Sequence, residues 1–160
     1  MTVYEKLLTY SLGIISKKRY TQKEIEDKLI KRVNKMKEDD TVINTVVERL
    51  IELDYINDYK FSQNYISQRV LLRPRGERLI RLELSRKGIH SGFIDKAIKG
   101  AKIDEYEMAK RVLLKKFKNI KDTDTTSYKF KSKVFTYLFS KGFQKDCIYN
   151  VFDSCYNNNV

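Results

Sequence analysis

Apolar residues recur at steps of three and four along most of this chain, as expected of helices that each bury one face. The clearest case lies between Thr41 and Asp54. Ile43, Val46, Val47, Leu50 and Ile51 fall on one face, and Asn44, Thr45, Glu48, Arg49 and Glu52 on the other. Upstream, Val3 to Ser16 is an apolar-rich stretch closed by Lys17-Lys18-Arg19, a basic run suited to a helix C-terminus. Thr21-Gln22-Lys23-Glu24 reads as a capping box: Thr21 accepts from the Glu24 N–H while Glu24 reaches back. The helix it opens carries Ile25, Leu29 and Ile30, and a polar break follows from Asn34 to Asp40. These are three helices in one unit.

A second unit opens at Asn57-Asp58, residues that can cap a helix carrying Phe61, Tyr65 and Leu72. Pro74 ends that helix, because its ring disfavours a helical residue before it. After the turn at Gly76 comes a helix with Ile80 and Leu84, stopped by Lys87-Gly88. A short helix from Ser91 buries Ile94, Ala97 and Ile98. The third unit repeats the plan. Its first helix, from Asp104, uses Ala109, Val112 and Leu113. Its second uses Val134, Phe135 and Leu138 and stops at Lys141-Gly142, and its last uses Ile148, Val151, Phe152 and Cys155.

The second and third units superpose as sequences. Leu84-Ser85-Arg86-Lys87-Gly88-Ile89 aligns with Leu138-Phe139-Ser140-Lys141-Gly142-Phe143, and at the same spacing Ile94, Ala97 and Ile98 fall on Ile148, Val151 and Phe152. In the first unit Leu29 takes the part of Leu84, the Lys-Gly pair is missing and about four extra residues stand in its place. The expected fold is therefore all-α: three tandem three-helix-bundle repeats at 1–54, 55–102 and 103–156, with a tail at 157–160, forming an elongated curved array.

Composition narrows the function classes. With 6 Gly and 1 Pro in 160 residues, the chain lacks the tight turns that sandwiches, barrels and dinucleotide-binding sheets require. Cys147, Cys155 and His90 are too few for a disulfide framework or a four-ligand zinc site of Cys and His. Leu7 to Ile15 is too short to span a bilayer and lacks a small-residue cleavage site, so a reducing cytoplasm is the expected compartment. No glycine-rich phosphate loop occurs. His90 reads as a turn residue, Asp122 and Asp124 as a loop pair without a third ligand, and both cysteines as small buried hydrophobes. Tyr59 and Tyr65 read as packing residues, although basic neighbours leave base stacking open. No catalytic residue, metal or cofactor is expected.

Charge is the feature that points outward. Residues 60–121 carry 17 basic and 6 acidic side chains, whereas residues 1–59 balance 11 against 11. Arg69, Arg73, Arg75, Arg78, Arg81, Arg86 and Lys87 make one band, with Arg78, Arg81 and Arg75 at helical spacing and only Glu77 and Glu83 to offset them. Lys110, Arg111, Lys115 and Lys116 make a second, with Lys118 and Lys121 beyond. Such clusters suit nucleic-acid phosphates or an acidic protein surface, and a salt-laced solvated face is the plain alternative.

Asp58, Phe61, Tyr65 and Arg69, followed by Gly76, Arg78, Ile80, Leu84, Lys87, Gly88 and Ile89, resemble the central motif of the RecX regulatory proteins. Tyr20-Thr21-Gln22-Lys23-Glu24-Ile25 is similar to that family's first-repeat helix start, and Leu50 to Asp58 to its repeat junction. In place of the proline that often follows the turn glycine, this chain has Glu77. The resemblance implies tandem three-helix repeats and a non-enzymatic, cytoplasmic, monomeric regulator acting in DNA recombination, repair and the SOS response. The implied partner is the RecA filament on single-stranded DNA, whose ATPase, strand exchange and extension such proteins mostly inhibit. The alternative is a helical module that binds single- or double-stranded DNA directly, without RecA.

Overall fold

The computed structural model describes residues 1–118, 125 and 127–157. Most of the expected loop from Asp122 to Ser127, with its pair Asp122 and Asp124, lies outside the described residues, as do Lys121 and the tail from Asn158. Among the described residues there are nine α-helices and no strand. They are α1 (Val3–Ile15), α2 (Gln22–Met36), α3 (Val42–Glu52), α4 (Asp58–Leu71), α5 (Glu77–Arg86), α6 (Ser91–Ala101), α7 (Glu105–Lys116), α8 (Tyr128–Ser140) and α9 (Lys145–Phe152). A π-helical turn, Asp153–Asn157, follows α9. The chain divides into two compact units, Met1–Asn64 with Leu84–Ala97, and Tyr65–Glu83 with Ile98–Val160, so the middle segment contributes to both.

The core of the first unit is Leu7, Ile25, Leu29, Val33, Ile43, Val46, Val47, Leu50 and Ile56. The amphipathic stripe expected on α3 is buried except for Ile51, which is 42 % exposed. Thr21 caps α2 through the expected capping box. In the second unit Met108, Ala109, Leu113, Phe130, Val134, Leu138, Phe143, Ile148, Val151 and Phe152 form the core, with Val70 and the half-buried Cys147 and Cys155 packed against it.

Two expectations need correction. On α4 the buried positions are Ser62 and Ile66, one residue on from the expected Phe61 and Tyr65, and Leu72 lies beyond the helix and is 77 % exposed. Ser62 is tolerated inside because its hydroxyl donates to the Asp58 carbonyl at 2.8 Å. The alignment of the first repeat also shifts. Gly88 and Gly142 both stop their helices in the left-handed region, the residue after each donating back to Leu84 or Leu138. Lys37, at φ 56°, makes the same stop on α2: its N–H donates to Asn34 and that of Glu38 to Val33. Val33, not Leu29, is thus the counterpart of Leu84. With that change Ile43, Val46 and Val47 align with Ile94, Ala97 and Ile98 without a gap. The extra residues are an additional turn of α2 rather than an insertion at the stop.

Each unit contains a joint of the same design. In the first, the Thr21 hydroxyl donates to the Lys87 carbonyl at 2.8 Å, and Asp58 accepts the Gln22 N–H at 2.9 Å. In the second, the Gly76 N–H donates to the Lys141 carbonyl at 2.9 Å, and Glu105 accepts the Glu77 N–H at 2.5 Å. A Lys-Gly stop and a carboxylate from later in the chain thus satisfy the otherwise unpaired N-terminal groups of a middle helix. Gly76 is glycine because a Cβ there would lie 2.2 Å from the Gly142 carbonyl oxygen, and Gly142 because its φ is left-handed and a Cβ would lie 2.3 Å from that of Leu79. Asp58 and Glu105 are each half-buried. Burial foremost, with neighbouring acids, raises both carboxyls above their ordinary range.

Candidate docking surface

The excess charge sits in one unit. Met1–Asn64 with Leu84–Ala97 holds 15 basic and 12 acidic side chains; Tyr65–Glu83 with Ile98–Val160 holds 18 and 9, a net of +9. Nine of the eleven expected docking residues belong to the second unit; Arg86 and Lys87 belong to the first.

Several of these cations are already engaged. Glu83 is a hub on α5: it accepts from the Tyr65 hydroxyl at 2.6 Å and from Arg69 Nε at 3.0 Å, while Arg75 Nε lies 3.9 Å from its other oxygen. Arg69 also donates to the Tyr65 oxygen at 2.6 Å and lies over that ring. Burial works against the Arg69 charge, but the bonds to Tyr65 and Glu83 outweigh it and hold the guanidinium still more firmly protonated. Burial, then the Glu83 bond, raises Tyr65. Arg69 is therefore an internal tie that fixes α4 to α5, Arg75 reaches toward the same carboxylate from the segment between the two helices, and Tyr65 is a hydrogen-bonding member of that tie rather than plain packing. Arg81 pairs with Glu77 one turn earlier at 2.7 Å. In the first unit, Lys87 reaches Glu24 at 2.8 Å. Burial raises the Glu24 carboxyl, but Lys87 and the Thr21 N–H overcome this and hold it below its ordinary range.

Arg78 is exposed yet fixed. It donates to the Phe139 carbonyl at 2.6 Å, and its guanidinium lies 4.6 Å from the centre of the Phe139 ring. Arg111 donates to the Val70 carbonyl at the end of α4. Lys116 lies over the Tyr137 ring. Arg73, Lys110 and Lys115 of the second unit, and Arg86 of the first, have no ion pair or side-chain hydrogen bond among the described residues. Of the eleven expected residues, these four have no such partner or ring contact among the described residues.

One groove accompanies them. It has a volume of about 530 Å³ and is lined by Val70, Met108 and Leu114, with Lys110, Arg111, Asp104 and Glu107 around it. The next residues of the chain after Val70, Leu71 and Leu72, are 69 % and 77 % exposed. Spacing reveals the Glu77–Arg81 pair in the sequence, but not the contacts of Arg78 and Arg111, whose partners lie 61 and 41 residues away. Nor does it reveal the groove, because Leu114 does not differ by residue type from the core positions around it, of which Met108 is one.

Among the described residues, His90 and the cysteines sit apart from any neighbour that would activate them. His90 is exposed, and its Nδ1 accepts the Gly92 N–H at the start of α6. Burial, with Glu105 and Asp104 nearby, pushes the Cys147 thiol up to about 11, the reverse of what a nucleophile needs. Among the described residues no group of three or more metal-ligating side chains is gathered. Also among them, no helix is long and apolar enough to cross a membrane.

Residues 57–98 match the family model of the second three-helix domain of RecX, and residues 103–152 that of the third. The chain belongs to the RecX family. It is 34% identical over 149 residues to the regulatory protein RecX of Clostridium perfringens, covering 92% of this chain and 68% of that protein. It is 33% identical over 138 residues to RecX of Haemophilus influenzae, covering 86% of each, and 35% identical to that of Clostridium beijerinckii, of which it spans 62%. The crystal structure of RecX from Lactobacillus salivarius superposes with a TM-score of 0.79 at 25% identity, over 95% of this chain and 96% of that one. The all-α helical repeat is thus the RecX fold. The second joint explains the turn glycine of the RecX-like motif, whose backbone lies against the Lys141-Gly142 stop, and the first explains Lys87, whose carbonyl accepts the Thr21 hydroxyl.

Proposed function

We propose that this RecX-family chain, built as three repeats at 1–54, 55–102 and 103–156, is a cytoplasmic, monomeric regulator of the RecA recombinase filament. It docks on the filament and inhibits its ATPase, strand exchange and extension without chemistry of its own. The observation that carries this reading is the +9 charge of the second unit, with Arg73, Lys110 and Lys115 left unpaired among the described residues. Arg69, Arg75 and Arg81, each held in an ion pair within the unit, order the surface rather than meeting the partner. The test is the single-stranded-DNA-dependent ATPase of RecA with wild-type chain and with the triple variant Arg73→Glu, Lys110→Glu, Lys115→Glu. The expected result is inhibition by wild type and its loss in the variant at unchanged helicity. A wild-type chain that leaves the ATPase untouched overturns the proposal.

Direct DNA binding is the second reading, favoured by the same unpaired cations. It requires tight binding to bare DNA, with log K falling against log salt by about 0.9 per duplex phosphate contacted. Weak binding to bare DNA beside strong binding to the filament decides for the regulator.

A further inference from the structure

We propose that the groove between the end of α4 and the outer face of α7 is a receptor for a protein segment with an apolar anchor flanked by carboxylates. This deepens the proposed function by naming what the basic unit holds, and rests on it only for the filament as the source of that segment. The groove itself is argued from the second unit alone.

The α7 helix has two working faces. Ala109 and Leu113 point into the core and are fully buried. Glu107, Lys110, Arg111 and Leu114 fall on the other side at helical spacing, and Leu114 is 46 % exposed. That outer face and Val70 enclose the groove of about 530 Å³, large enough for one or two apolar side chains. Arg111 holds one wall in place by its bond to the Val70 carbonyl. Past that wall the chain continues into Leu71 and Leu72, among the most exposed large apolar side chains of the molecule. An apolar floor ringed by charge is the anatomy of a protein interface.

The ring also selects the occupant. Lys110 and Arg111 attract anions, with the unpaired Arg73 three residues beyond Val70. Asp104 and Glu107 stand on the same rim, and Asp104 is turned to its own helix, accepting the Glu107 N–H at 3.0 Å. A phosphate backbone carries negative charge at every step, so wherever it runs along the rim it meets Asp104 and Glu107 as repulsion. A peptide can set its carboxylates against Lys110 and Arg111 and its apolar side chain against Val70, Met108 and Leu114.

The experiment measures fluorescence anisotropy with the full chain and three labelled probes. They are a 12-residue peptide of Leu and Phe flanked by Glu, the same peptide with Ser for Leu and Phe, and a 12-nucleotide single strand. The expected result is that the first binds about tenfold tighter than the second and tighter than the oligonucleotide. Leu114→Ser should remove the difference between the peptides, while Lys110→Glu weakens both. A photoreactive phenylalanine analogue at position 114, on RecA filaments, should give an adduct with protein rather than DNA. Equal binding of the two peptides, preference for the oligonucleotide, or a DNA adduct overturns the inference. Peptide discrimination by a chain that leaves the RecA ATPase untouched removes the proposed function and keeps the groove; inhibition by a chain that treats the peptides alike does the opposite.

Discussion

Replacing Gly76 with alanine adds one methyl group at the tightest backbone contact of the second joint. Its φ is not in the left-handed region, so the chain itself tolerates a Cβ; the obstacle is the neighbour. The added carbon would sit 2.2 Å from the Gly142 oxygen, 2.3 Å from its carbonyl carbon and 2.4 Å from the Phe143 nitrogen. All three are backbone atoms and cannot swing aside. The two backbones of the joint must part by roughly 1 Å to reach ordinary contact. That stretches the Gly76-to-Lys141 hydrogen bond from 2.9 Å past its useful range and strains the Glu77-to-Glu105 bond beside it. Two lost bonds at about 1 kcal/mol each, and overpacking of about 1–3 kcal/mol, put the cost at roughly 3–5 kcal/mol. Urea unfolding followed by circular dichroism at 222 nm measures it. At a slope of about 2 kcal/mol/M the midpoint should fall by more than 1 M. Gly13→Ala and Gly100→Ala are the controls, since a Cβ there meets nothing within 4 Å in helices α1 and α6. Each should gain about 0.5–1 kcal/mol. A neutral or stabilising Gly76→Ala would refute the claim that glycine is required there by contact.

Lys37→Gly should stabilise the chain by about 1 kcal/mol, because Lys37 holds a left-handed stop that costs an L-residue energy; an unchanged urea midpoint would count against it. Glu83→Ala should cost about 2 kcal/mol in the same assay by stranding Arg69 and Arg75, while Glu83→Gln, which still accepts from Tyr65, should cost less. The two types of carboxylate should respond oppositely to pH. Glu24 lies below its ordinary value when folded, so its contribution is present above about pH 4.5 and lost as pH falls through the folded value. Glu105 lies above its ordinary value, so its contribution is present at low pH and lost as pH rises through the folded value. Glu24→Gln should therefore lower, and Glu105→Gln raise, the unfolding midpoint at pH 7, and both differences should shrink toward pH 3.

Local rules carried much of the fold because they depend on neighbours in sequence. The α3 stripe, the Thr21 capping box and the Lys-Gly stops all act within a few residues. The α4 face escaped them because a buried serine breaks the apolar pattern, and its satisfied hydroxyl is invisible to hydropathy. The first repeat slipped by one turn because a lysine does the work of glycine at position 37. For the docking surface, the identity of the basic band was readable, but not its division into free and engaged cations. Whether an arginine is free depends on partners such as Glu83 and Phe139, which only tertiary structure brings within reach.

The joints draw their caps from downstream, and that gives the chain a direction. During synthesis the first unit has all its joint partners once residue 97 has left the ribosome, and it can close while the rest is still being made. The start of α5 has no such early partner: it waits for Glu105 and then for Lys141 and Gly142. A ribosome paused between those codons would hold a nascent chain with one end settled and the N–H groups of α5 bare, the stage at which a protease or chaperone would find it most easily.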